Sequence, residues 1–240
     1  MFGSISMRRK IFLSGLIMFF VSNMLFSGTR SAYVLVPEAM LMLTILVFNR
    51  QIMLITTGAA LFMAVVIFMP TSNPVLYRFQ SAFKPSDDAS FNVRARNQKM
   101  IQPYIWTHPI GGGLGSTGVW GAKFSPGSFL ASFPPDSGYV RVAVETGWIG
   151  LFIFCTLLFV ILQKGISNFF KMEDPELKSY CLAMVLIVYA ITIGNYPQEA
   201  ITQYPLNVYF FLVAALVDAT YNLDKEKKEE KLKMSDTLSN

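Results

Sequence analysis

The sequence predicts an all-α fold: a polytopic membrane helix bundle of about six transmembrane helices, with one long extracytoplasmic loop containing short helices. Three observations lead there. Hydrophobic residues make up 53% of the chain and charged residues 15%, an apolar share above that of an ordinary soluble domain. The apolar residues come in long blocks rather than in amphipathic periods. Basic residues gather beside those blocks, where membrane topology places them. The net charge of +5 is therefore topological and gives no reason to expect nucleic acid. Cys155 and Cys181 both lie in apolar runs without a partner at metal-ligand spacing, so neither a disulfide framework nor a zinc site is expected.

The first apolar run, Ile11 to Phe26, follows the basic leader Arg8-Arg9-Lys10. A basic start and a short apolar core also fit a secretory signal peptide, but more apolar segments follow at once and favour a retained span. Tyr33 to Phe48 is the second run, ended by Asn49-Arg50, and Ile52 to Met69 is the third, ended by Pro70. A polar region then extends from Thr71 to about Glu145. Trp148 to Leu162 is the fourth run. A charged connector, Gln163 to Ser179, leads to the fifth, Tyr180 to Ile193. The polar loop NYPQEAITQY separates it from the sixth, Pro205 to Thr220, and the tail DKEKKEEKLK is a solvated charge run. Several runs are shorter than the ~20 residues that span a hydrocarbon core, so their flanks must extend them; the fourth helix is expected to start near Gly138. The expected division is three N-terminal spans in 1–70, an extracytoplasmic catalytic loop in 71–147, three C-terminal spans in 148–220 and a cytoplasmic tail in 221–240.

Positive charges set the orientation. With the amino terminus in the cytoplasm, Arg8, Arg9, Lys10, Arg50, the Lys164–Lys178 connector and the lysine tail all face inside. Arg30, the long loop and NYPQEAITQY face outside, and both termini are cytoplasmic. The sequence carries no internal repeat of the kind that builds many transporters.

Chemistry is expected in the stretch from Arg94 to Leu151, which is polar, glycine-rich and tethered to the bundle at both ends. Arg30 sits just past the outer end of the first span, where short loops tend to lack positive charge. It is either a snorkelling arginine or a ligand for an anion at the outer interface. The long loop carries Arg78, Lys84, Arg94, Arg96, Lys99, Lys123 and Arg141 against Asp87, Asp88, Asp136 and Glu145. Such an electropositive face suits a lipid-linked diphosphate, since arginine holds phosphate through a planar fork; ordinary anionic headgroups suit it too. The run GGGLGSTG formally matches a dinucleotide fingerprint, but no strand precedes it and it faces outside. A tight backbone turn is the plainer reading. His108, the one histidine, stands before Pro109 with no adjacent acid or nucleophile, so it forms neither a triad nor a metal site. Asp136 and Ser137 precede a helix in a setting suited to N-capping. Arg141 and Glu145 are spaced to pair with each other on that helix.

Three segments carry a resemblance to a known family. SGTRSA surrounds Arg30. Arg94 leads into THPIGGGLGS. DSGYVRVAVETGWIGL opens the fourth helix. In order and spacing these resemble the O-antigen ligase and O-antigen polymerase family of bacterial membrane proteins, over roughly residues 15–165. The resemblance implies a metal-independent glycosyltransferase with no cofactor, acting at the outer (periplasmic) face of the bacterial inner membrane. Its donor would be a glycan on undecaprenyl diphosphate. Its acceptor would be lipid A–core or another carrier-linked glycan. Membrane lipids and other polysaccharide-assembly proteins would be its neighbours. By resemblance, Arg30 and Arg94 hold the donor diphosphate, with Arg96 as a neighbour that could substitute. Asp136 falls where ligases carry a histidine proposed as the base, which tilts the expectation toward polymerase or another glycan transferase. Glu145 matches the family's glutamate, and Tyr139, His108 and Arg141 lie within the matching segments as supporting residues. Family members have more spans than this chain, which resembles their carboxy-terminal half. A fragment, a truncated paralogue or an inactive partner subunit therefore stays open. So does a transporter or channel for an anionic solute, which would want polar residues along a path through the spans; Glu38 and Asp218 are the main ones there.

Overall fold

The computed structural model describes residues 6–27, 29–84 and 89–238. Gly28 of the SGTRSA segment, and the loop acids Asp87 and Asp88, lie outside the described residues. Nine α-helices and one 3-10 turn, at Phe129–Ser132, occur among the described residues, with no strand. They are α1 Met7–Phe26, α2 Arg30–Val47, α3 Arg50–Phe68, α4 Pro74–Ala82, α5 Ala89–Thr107, α6 Gly118–Phe124, α7 Gly138–Lys171, α8 Pro175–Gly194 and α9 Leu206–Leu238. Six of these, α1, α2, α3, α7, α8 and α9, are long and apolar enough to cross a membrane.

The helix starts follow local chemistry. Asn49 Oδ1 accepts from Gln51 N at 2.9 Å and opens α3. Asn73 does the same for Val75 N at 2.9 Å, with Pro74 at the first helical position of α4. Asp174 accepts from Glu176 N and Leu177 N, both at 3.0 Å, at the start of α8. Each is a short polar side chain satisfying first-turn donors. The charged connector is mostly helical: α7 continues to Lys171 and α8 begins at Pro175. The tail likewise continues α9 through its charge run.

α8 is the centre of the bundle and packs against α2, α7 and α9. Leu46, Phe169, Cys181, Val185 and Val217 form the core at one end. Leu158, Val188, Ile201, Phe210 and Val213 form it at the other. No residue of α1 or α3 is buried, as suits helices whose apolar faces meet lipid rather than protein. α2 is tied back to α1 by Tyr33 Oη, which donates to the Leu25 carbonyl at 2.8 Å. α4 folds under α3, where Gln80 donates to the terminal carbonyls of Val66 at 2.9 Å and Met69 at 2.6 Å.

Between α3 and α7 the chain stays near one end of the bundle. α5 lies on the first turns of α7 around a separate small core of Ile101, Leu130, Phe133 and Val144. That end also receives the start of α2 and the α8–α9 loop.

Candidate active site

The first turns of α7 are built around an interruption. Gly147 has φ 71° and ψ −178°, which breaks the helix between the stub Gly138–Thr146 and the long apolar part. The glycine turn after α5 fills the break. Gly112 N donates to the Val144 carbonyl at 2.9 Å, and Gly113 N to the Glu145 carbonyl at 2.8 Å. In return the Pro109 carbonyl accepts from Ile149 N at 3.3 Å. A Cβ on Gly147 would overlap the Pro109 carbonyl, and one on Gly111 would stand 2.7 Å from the Glu145 oxygen. The HPIGGG and ETGW segments are thus one device: a backbone wedge exchanging hydrogen bonds with a broken helix. The glycine run serves as scaffold here.

The stub carries a buried charge network. Glu145, 5% exposed, accepts from the Thr117 hydroxyl at 2.7 Å and from Arg141 Nε at 3.1 Å. Arg141 donates its other arm to Glu199 of the α8–α9 loop at 2.7 Å. The expected Arg141–Glu145 pair is present, but it is part of a four-member chain linking three segments. Its two carboxylates leave Arg141 with little positive charge to offer a phosphate.

The capping role expected for Asp136 or Ser137 is absent. Ser137 is at the N-cap position of α7, but its side chain makes no capping bond. The Gly138 N–H is taken instead by the carbonyls of Asn195 and Gln198, at 2.9 and 3.1 Å. Asp136 is exposed, and its Oδ2 accepts from Asn97 Nδ2 of α5 at 2.7 Å. It is oriented by α5 rather than used to start α7.

Two arginines far apart in sequence come to one cavity. Arg30, at the start of α2, and Arg94, on α5, both line a space of about 480 Å³. Ser31, Gln98 and Tyr139 line it as well, with apolar walls from Val34, Leu35, Phe91 and Ile193. Arg94 is shared with a second, larger cavity of about 760 Å³ that contains Asp136. Arg94 thus stands between the Arg30 side and the Asp136 side. Tyr139 is fixed by its hydroxyl, which donates to the Thr192 carbonyl at 2.8 Å.

Not every expected residue joins them. Arg96 is exposed and lines none of the described cavities, because two residues along a helix turn it to nearly the opposite face from Arg94. His108 lies at the end of α5, stacked on Tyr104 with ring centroids 3.9 Å apart. Its Nδ1 is within 2.9 Å of the Thr107 hydroxyl and 3.0 Å of the Tyr104 carbonyl. It belongs to the base of the wedge. Lys123 lies over the Trp120 and Phe124 rings.

A model of the O-antigen ligase family matches residues 14–155. The chain belongs to the O-antigen ligase family. Together with its six apolar helices, that membership makes it a multi-pass membrane protein of the O-antigen ligase and polymerase type. No curated protein and no solved structure shows significant similarity to it. The family match contains Arg30, Arg94, Asp136 and Glu145 and ends within α7. The α8–α9 loop lies outside it, yet supplies Gln198, Glu199, Gln203 and Tyr204 to the cavity shared with Arg94 and Asp136. Sequence reading passed over that loop and over Asn97. The available signal was its polarity, on the side expected to hold the long loop.

Proposed function

We propose that the chain is a glycosyltransferase of surface-polysaccharide assembly. It transfers a glycan from a polyprenyl (undecaprenyl) diphosphate donor to a sugar hydroxyl at the outer face of the bacterial inner membrane. The observation that carries this reading is the convergence of Arg30 and Arg94 on one apolar-walled cavity, with Arg94 also bordering the cavity of Asp136. A lipid diphosphate needs that combination of apolar surface and fixed cations.

The roles follow from the bonds exchanged. The acceptor oxygen attacks the anomeric carbon from the face opposite the leaving group, and the bond from that carbon to the diphosphate oxygen breaks. Negative charge grows on the departing diphosphate, where Arg30 and Arg94 stabilise it electrostatically. The acceptor hydroxyl loses its proton to Asp136, a carboxylate positioned by Asn97. Attack from that face inverts the anomeric configuration. Aspartate at this position favours polymerase, or another glycan transfer, over ligation to lipid A–core. The gathering of Arg30, Arg94 and Asp136 at one end of the bundle favours an enzyme over a transport path. Among the spans, Asp218 is engaged by Lys164 and Asn168 on α7. The flanking positive charges favour placing the site end outside and both termini inside.

The test is the gel profile of surface glycans in cells carrying Arg30→Ala or Arg94→Ala in place of the wild-type chain. Loss of long-chain polymer, with the variant still in the membrane, is the expected result. Normal chain-length profiles in both variants would sink the donor assignment.

A further inference from the structure

The Asp136 side of Arg94 has a different chemistry from the Arg30 side. The 760 Å³ cavity and a neighbour of about 430 Å³ share Asp136, Glu199, Gln203 and Tyr204, so they form one open trough. Both volumes fall within the ~300–1,000 Å³ range of small-molecule pockets. The trough presents two carboxylates and the side-chain amides of Gln198 and Gln203. The Thr202 hydroxyl faces it as well and is buried without a hydrogen-bond partner. Its rim carries two aromatic rings: Tyr204, 83% exposed, and Trp120, 52% exposed, which also stacks on Phe124 and lies under Lys123.

These groups discriminate against a phosphate. Arg141 lines the smaller cavity, but it is already bonded to Glu145 and Glu199. A diphosphate entering the trough would meet Asp136 and the Arg141-paired Glu199, with Arg94 at one edge and Lys123 over the Trp120 ring at the rim as counter-charges. A neutral, hydroxyl-rich ring meets no such repulsion. Carboxylates and amide oxygens accept from its hydroxyls, amide nitrogens donate to them, and exposed aromatic faces cover its apolar C–H surface.

We propose that this trough, walled by the α8–α9 loop and α6, binds the acceptor saccharide and delivers its hydroxyl to Asp136. Tyr204 and Trp120 are the stacking residues, and Gln203 and Glu199 read the hydroxyl pattern. The proposal rests on the glycosyltransferase reading above, and it assigns the two sides of Arg94 to two substrates. The α8–α9 loop is then the segment that sets acceptor preference.

The test uses the full chain in detergent and saturation-transfer NMR. The probe is neutral oligosaccharide released by mild acid from the host's own surface polysaccharide. Sugar protons should receive saturation from the wild type. Tyr204→Ala and Trp120→Ala should weaken binding roughly three- to tenfold each, the range for losing one aromatic contact. Tyr204→Phe should retain it, which separates loss of stacking from loss of fold. Arg30→Ala should bind the saccharide as the wild type does. The proposal is overturned if the wild type gives no saturation. It is also overturned if both alanine variants bind normally, or if Arg30→Ala alone abolishes binding, since the sugar would then occupy the donor cavity. The glycan profile of Arg30→Ala judges the donor reading separately: an unchanged profile would reject that reading while leaving the saccharide result standing.

Discussion

Replacing Gly147 by alanine probes the joint on which the site is mounted. Its φ of 71° and ψ of −178° lie in a region essentially reserved for glycine; forcing another residue there costs about 1–3 kcal/mol. The added Cβ would also overlap the Pro109 carbonyl and stand 2.7 Å from Gly111 N. The wedge must therefore withdraw, losing the bonds from Gly112 to Val144, from Gly113 to Glu145 and from Ile149 to Pro109. At about 1 kcal/mol for each net hydrogen bond, the total destabilisation is on the order of 4–6 kcal/mol. By the scaling of ~2–4 °C per kcal/mol for chains of this size, melting should fall by roughly 10 °C or more. Gly58→Ala is the control. It lies within α3, a Cβ there meets nothing within 4 Å, and alanine favours a helix interior by about 1 kcal/mol. The assay is size-exclusion retention of detergent-solubilised protein after heating in steps. If Gly147→Ala matches the wild type while Gly58→Ala does too, the wedge is not bonded into α7 and the reasoning fails.

Asp136→Asn keeps an acceptor for Asn97 but removes the proposed base; polymer formation should fall by about 100-fold or more, the scale of general-base loss, with melting unchanged. Retained polymer in that variant would assign the proton to another group. Glu145→Ala leaves the buried Thr117 hydroxyl without its partner and Arg141 with Glu199 alone. A loss of about 2–4 kcal/mol is expected, less for Glu145→Gln, which still accepts from Thr117; the two melting curves check the order. Asp174 is held below the usual carboxylate range, chiefly by the Leu177 N–H and then by Lys227. Because its folded value is depressed, this contribution is fully present above the unfolded carboxylate value of about 4. It is lost as pH falls through the lower folded value. Melting measured from pH 6 downward should show that decline, and Asp174→Asn should flatten it.

Much of the bundle is legible in the sequence because membrane helices are specified by local means. Apolar length, flanking charge and short polar caps such as Asn49, Asn73 and Asp174 are all encoded within a few residues of the feature they set. The meeting of Arg30 with Arg94 was anticipated only through resemblance, since no local pattern brings α2 to α5. The same limit explains Asp136. Its setting before a helix resembles a cap, but carbonyls from Asn195 and Gln198 reach the Gly138 N–H first, and neither is near it in sequence. The glycine turn illustrates the point from the other direction. GGGLG signals unusual backbone, yet its partner is the Gly147 break, and nothing in either segment names the other.

The wedge also bears on how the protein responds to its bilayer. At the break, the carbonyls of Val144 and Glu145 are bonded to the glycine turn rather than carried on along α7. A helix without continuous hydrogen bonding transmits tilt poorly across the gap. Bilayers of different thickness tilt a spanning segment. Such tilt is expected to concentrate at Gly147, where the Ile149–Pro109 bond ties the long part of α7 to the wedge, while the stub is held by the glycine turn at one end and the α8–α9 loop at the other. Asp136 and Arg94 are then expected to keep their mutual setting as lipid composition changes, much as a gimbal keeps a compass level.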